Sequence, residues 1–253
     1  MKLPFRNTHL FYNSYGSGPA VVLLHGFLES ASMWDFFIAE FSKKYTIITI
    51  DLLGHGSSGS VGEVHSMELM AEAVHTVIEQ LKLQSFELVG HSMGGYVALA
   101  YIEKYSQLVS KITLINSTPS EDSEERKENR TRALKVIRTN KEAFVSMAIS
   151  NLFSPNDRVD YASEIKFLKK EALQISKESI AATIKGMRDR NDRSTILRKF
   201  NKPKIMLCGT QDLIVPFLEA KQIATYCNCT LITLSGGHMS WIENKEELIN
   251  FYS

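Results

Sequence analysis

The chain has 253 residues, 44% of them hydrophobic, a length and composition that suit one large α/β domain or a core carrying an insertion. Its formal net charge of +1 supplies no long-range attraction to nucleic acid or to an anionic membrane, so neither is expected as a partner. No run approaches the ~18 apolar residues of a spanning helix, the first residues do not read as a signal peptide, and three cysteines (Cys208, Cys227, Cys229) fit neither a disulfide framework nor a zinc motif, so a cytoplasmic, metal-free protein with free thiols is expected.

In chain order, His9–Gly16 reads as an exposed antiparallel edge strand. Pro19–Gly26, Tyr45–Gly56, Ser85–Gly90, Lys111–Ser117, Pro203–Gly209 and Cys229–Gly237 are short apolar runs closed by turn residues. Continuous runs of this length suit strands buried on both faces of a parallel sheet. Between them, Ser66–Leu83 places Leu69, Ala73, Val74, Val77, Ile78 and Leu81 on one helical face. Met93–Tyr105, Pro216–Tyr226 and Lys245–Phe251 read as further helices. Strands alternating with helices predict an α/β fold with a doubly wound, mostly parallel sheet.

One segment breaks the alternation. From Thr118 to Thr195 only helical runs occur: Glu124–Arg138, Lys141–Phe153, Ile165–Ile175 and Glu178–Arg188. This block holds 29 of the chain's 57 Asp, Glu, Lys and Arg residues. The strands on either side need a continuous sheet, so the block is expected outside it. The predicted organisation is a core of residues 1–117 and 196–253 with a helical lid over residues 118–195.

Gly90-His91-Ser92-Met93-Gly94 is a G-x-S-x-G motif between a strand and a helix, the context of a nucleophile elbow. Side chains at positions 90 and 94 would collide across so sharp a turn, and Ser92 would stand at the carboxyl end of the sheet near a helix N-terminus. A serine hydroxyl needs a base, and the base an orienting acid. Asp212 follows the run ending at Gly209, and His238 follows the run ending at Gly237, in the order Ser, acid, His. Glu243 and Asp192 are weaker alternatives for the acid. His9 and His65 are read as lying in exposed segments, His75 on a helix, and His25, His55 and His91 as structural hydrogen bonders in turns. An oxyanion would need backbone donors, expected from the N–H groups of Met93 and Phe27.

In combination, His25-Gly26, "DLLGHGSS" from Asp51, "GHSMGG" from Gly90, "GTQDLIVP" from Gly209 and "GGHMSWIE" from Gly236 resemble the α/β-hydrolase superfamily along the whole chain. The resemblance implies the α/β-hydrolase fold, a Ser92–His238–Asp212 triad, no cofactor and a small-molecule ester-type substrate. Haloalkane dehalogenases and soluble epoxide hydrolases carry aspartate where Ser92 stands. Menaquinone-pathway members usually carry arginine where Tyr96 stands, and meta-cleavage hydrolases asparagine where His91 stands. Small esterases, lactonases, thioesterases and monoacylglycerol lipases remain. The leading expectation is a carboxylesterase-like serine hydrolase for small or medium apolar acyl groups. Action on a thioester, a lactone or a C–C bond beside a ketone, or a non-catalytic ligand sensor, stand as alternatives. Ile214, Met239, Met147, Phe153, Ile184 and Met187 are the candidate pocket residues, since methionines suit an adaptable apolar site. The oligomeric state is left open.

Overall fold

A computed structural model describes residues 1–253. Eight strands form one sheet: β1 (Lys2–Phe5), β2 (Thr8–Tyr15), β3 (Ala20–Leu24), β4 (Thr46–Asp51), β5 (Phe86–His91), β6 (Val109–Ile115), β7 (Lys204–Gly209) and β8 (Thr230–Leu234). Eleven helices accompany them: α1 (Asp35–Phe41), α2 (Met67–Gln80), α3 (Met93–Tyr105), α4 (Glu124–Thr139), α5 (Lys141–Ser150), α6 (Ala162–Ala172), α7 (Lys177–Arg188), α8 (Ser194–Lys199), α9 (Phe217–Cys227), α10 (Ser240–Glu243) and α11 (Lys245–Tyr252). The strand order is β1-β2-β4-β3-β5-β6-β7-β8. β1 and β2 run antiparallel and the remaining six strands are parallel. This is the doubly wound α/β-hydrolase sheet. No helix is long and apolar enough to cross a membrane.

Alternation along the strands divides the core between the two faces of the sheet. Val22 and Leu24 of β3 join the larger cluster with Met70, Val74 and Val77 of α2 and Val97 and Tyr101 of α3. Val21 and Leu23 point the other way, into a smaller cluster with Phe37 and Phe41 of α1 and Leu248 and Tyr252 of α11. A strand flanked on both faces by helices must be apolar at every position, which is why these segments read as unbroken hydrophobic runs.

Three details correct the expectations. The strand from residue 8 is not the edge, because β1 pairs with it antiparallel and takes that place. "KLPF" has no periodicity to announce a strand. α1, α8 and the single turn α10 were not anticipated either; α1 hides in an aromatic stretch whose Phe37 and Phe41 lie one turn apart. The boundary drawn at residue 195 falls inside α8.

Helices α4 to α8 fill the interval between β6 and β7, which pair directly through Ile115 and Leu207. The interval therefore lies outside the sheet. α4 packs on α5 and α7, and α5 on α6, around buried Ile137, Val145, Ile149, Phe153, Leu168 and Ile184. Polar pins fasten this block to the core. Buried Arg193 bonds Glu103 of α3 and Glu68 of α2. His65 accepts from Ser60 Oγ at 2.8 Å and meets Thr183 Oγ1 of α7 at 3.2 Å. His65 is thus fully buried, not exposed; burial lowers its pKa to about 4, so it serves as a neutral hydrogen bonder.

Candidate active site

The sheet order places the reactive loops together. The chain steps from β3 outward to β4 and then returns to β5 on the other side of β3, so the loops leaving β3 and β5 flank the crevice where the winding reverses. Leu24 and Gly90 are register partners. The segments at residues 25–27 and 91–93 consequently emerge side by side. Gly209 and Leu234 are likewise partners, so the loops carrying Asp212 and His238 leave β7 and β8 as neighbours.

Ser92 sits between β5 and α3 with φ 49° and ψ −114°, a backbone region a non-glycine residue adopts only when its surroundings enforce it. A Cβ on Gly90 would lie 2.4 Å from the Gly94 carbonyl oxygen, and one on Gly94 would lie 2.4 Å from that of Leu24. The two glycines allow β5, α3 and β3 to converge on the turn. The Ser92 N–H donates to the Ile115 carbonyl at 2.9 Å, and its own carbonyl accepts from Ser117 Oγ at 2.7 Å.

The hydroxyl of Ser92 lies 2.9 Å from His238 Nε2, and His238 Nδ1 lies 2.8 Å from Asp212 Oδ2. The carboxylate can only accept, so Nδ1 carries the proton and Nε2 is left to accept from Ser92. Asp212 is itself held firmly. Its Oδ1 accepts from the N–H groups of Ile214 at 2.7 Å and Val215 at 2.8 Å, and its Oδ2 accepts from Asn116 Nδ2 at 2.9 Å. Burial pushes the Asp212 pKa up, but the neighbouring His238 and these donors outweigh it and hold the carboxyl below its ordinary range.

Asn116 escaped the sequence reading. It ends β6 with a φ of 47°, donates also to the Gly237 carbonyl at 3.0 Å, and accepts from Ser240 Oγ. It joins the Asp212 loop to the His238 loop. The available signal was a polar residue closing the apolar run "KITLIN".

A second buried histidine–carboxylate pair lies alongside. His91 Nδ1 is 3.0 Å from Glu29 Oε2, and His91 Nε2 is 3.0 Å from the backbone carbonyl of His238. Glu29 Oε2 also accepts from the Gly26 N–H at 2.6 Å, and Oε1 accepts from Trp241 Nε1 at 3.2 Å. Both ring nitrogens of His91 therefore face acceptors, which favours the imidazolium. Burial alone lowers the His91 pKa, but the Glu29 charge reverses this and raises it. Burial likewise raises that of Glu29, and His91 brings it below its ordinary range.

The N–H groups of Phe27 and Met93 donate to no protein acceptor. The other acids do not compete for His238. Glu243 turns its Oε2 to the N–H groups of Gly237 and Met239, and Asp192 bonds the N–H of Ser194.

A cavity of about 340 Å³ opens over Ser92 and His238. Phe27, Tyr96, Phe144, Leu152 and Leu213 line it, together with Ile184, Met187 and Ile214 from the expected pocket set. The other three expected residues do not. Met147 is 52% exposed because it occupies the outer face of α5, one position from Ala148, which does reach the cavity. Phe153 is consumed by the core of the helical block, and Met239 by the core beneath the His238 loop. The wall also holds Arg126, Asn129 and Arg130 of α4, which a search for apolar residues passes over.

The alpha/beta hydrolase fold family model matches residues 19–245. The chain is 26% identical to pyrrolizixenacetamide deacetylase of Xenorhabdus hominickii, covering 98% of this chain and 94% of that one. It is 31% identical to a putative 2-succinyl-6-hydroxy-2,4-cyclohexadiene-1-carboxylate synthase of Bacillus subtilis, covering 76% and 73%. A thermophilic esterase of Thermogutta terrifontis, solved with malate bound, superposes with a TM-score of 0.91 at 28% identity over 97% and 92% of the two chains. The chain spans only 35% of the length of the mycobacterial relatives it matches at 32% identity. With its sheet order, its strained Ser92 turn and the matched family model covering nearly all of it, the chain belongs to the alpha/beta hydrolase fold family.

Proposed function

We propose that this protein is a serine hydrolase that cleaves carboxylic esters of small or medium chain length through an acyl-enzyme. The observation that carries this reading is the continuous line from Ser92 Oγ through His238 to Asp212, with links of 2.9 and 2.8 Å, at the floor of a largely apolar cavity. Ser92 attacks the ester carbonyl while His238 Nε2 takes its proton, and Asp212 stabilises the imidazolium. The free N–H groups of Phe27 and Met93 receive the oxyanion. His238 then protonates the leaving alcohol, and water activated by the same imidazole releases the acid. The helices of residues 118–195 act as the lid, with α4, α5 and α7 roofing the acyl site. The esterase name of the Thermogutta relative supports an ester substrate.

The test pairs a fluorophosphonate probe with a panel of p-nitrophenyl esters from acetate to laurate. The probe is expected to label the wild type and not Ser92→Ala, with turnover highest at short or medium chains. Labelling that persists in Ser92→Ala would place the nucleophile elsewhere. Labelling without ester turnover, followed by turnover of thioesters or lactones, would move the reaction to another acyl bond.

A further inference from the structure

The cavity wall is not uniformly apolar. Arg126, Asn129, Arg130 and Ala133 of α4 all line it, and their spacing of i, i+3, i+4 and i+7 makes them one stripe of that helix. The guanidinium of Arg126 has no carboxylate partner; Nη2 donates to the Ile214 carbonyl, and its other N–H groups find no protein acceptor. Arg130 shares the buried carboxylate of Asp122 with Arg190, so two cations divide one anion. Asp122 is thus shared by two guanidiniums, while Arg126 has no ion-pair partner. Glu29, the acid that lines the cavity, is already matched by His91.

Arg126 is half-buried with donors to spare, and the planar fork of arginine fits a carboxylate edge to edge. Ile214, the anchor of Arg126, lies two residues after Asp212, so the guanidinium is tied to the loop that carries the triad acid. The apolar side chains of Phe144, Ala148, Leu152, Ile184 and Met187 line the same cavity as Arg126 and Ser92.

We propose that the preferred substrate is an ester whose acyl chain ends in a carboxylate, with the methylene chain on the apolar wall and the carboxylate on Arg126, Arg130 providing the second positive charge. This substrate class rests on the ester-hydrolase reading of Ser92.

The experiment compares monoethyl adipate with ethyl hexanoate, which share their ester and methylene chain and differ at the tip, by pH-stat titration. A charge-assisted contact predicts a kcat/KM ratio favouring the hemiester by about tenfold or more. Arg126→Met should collapse that ratio and Arg126→Lys should restore part of it. If Arg126 only clamps Ile214, both esters slow alike and the ratio stands, which overturns the proposal, as does a wild type with no preference. A second arm does not need turnover: adipate is titrated calorimetrically into Ser92→Ala. Binding at about 1 mM or tighter, lost in Ser92→Ala/Arg126→Met, is expected. Absence of binding overturns the carboxylate site even if neutral esters are hydrolysed. Binding without hydrolysis of either ester would overturn the ester reading and leave the carboxylate site standing.

Discussion

The His238–Asp212 and His91–Glu29 pairs have nearly the same chemistry and lie with ring centroids 5.3 Å apart, yet they face different worlds. In each, a buried carboxylate holds one imidazole nitrogen. The far nitrogen of His238 meets the Ser92 hydroxyl at the cavity, whereas that of His91 meets the backbone carbonyl of His238. A hydroxyl can give up a proton and a carbonyl cannot. The first pair is therefore suited to move a proton and the second to hold a loop. Glu29 ties together Gly26, His91 and Trp241, and so connects the Phe27 segment, the Ser92 turn and the His238 loop. A histidine–carboxylate pair becomes a base only through what its far nitrogen touches.

The sharpest way to break this comparison is to neutralise each acid in turn. Asp212→Asn is expected to lower kcat on the best ester by about 10⁴-fold, by destroying the tautomer that leaves Nε2 free, with the fold intact by circular dichroism. A near-neutral effect would hand the role to another acid. Glu29→Gln is expected to act mainly on stability, by about 3–5 kcal/mol in urea unfolding, because it strands a buried cation. A loss of kcat as large as that of Asp212→Asn, without destabilisation, would erase the distinction between the pairs.

The pH dependence sharpens it further. Glu29 has a depressed pKa, so its contribution is present above its ordinary value of 4.5 and is lost as pH falls through the folded value. His91 has a raised pKa, so its contribution is complete below its ordinary value of 6.5 and is lost as pH rises through the folded value. The difference in urea midpoint between wild type and Glu29→Gln should be largest between these limits and shrink above them. A difference that does not shrink as pH rises towards 9 would mean that His91 holds no Glu29-dependent proton to lose in that range.

The smallest expected effect separates the two faces of α5. Met147→Ala, on the outer face, should change stability by less than about 0.5 kcal/mol and leave the chain-length profile unmoved. A shifted profile would bring Met147 back to the acyl site.

Most of the sheet was legible in the sequence because a strand buried on both faces leaves an unbroken apolar run, and Ser92, Asp212 and His238 could be named as candidates because each follows such a run. β1 and α1 were not legible, since a four-residue edge strand and a short aromatic helix carry no clear period.

The sequence by itself determined seven of the eight segments that form the sheet, where the turn at Ser92 must be sharp, and which residues are candidates for nucleophile, acid and base. These follow from local chemistry: hydrophobic period, missing side chains at Gly90 and Gly94, and position at strand ends. Only the tertiary structure decided that Asn116 braces Asp212, that Glu29 pairs with His91, and that Ile184, Met187 and Arg126 face the cavity while Met147 does not. Those outcomes depend on strand register and on the rotational phase of each helix between β6 and β7 against the core, and a rotation of 100° per residue turns one neighbour inward and the next to solvent.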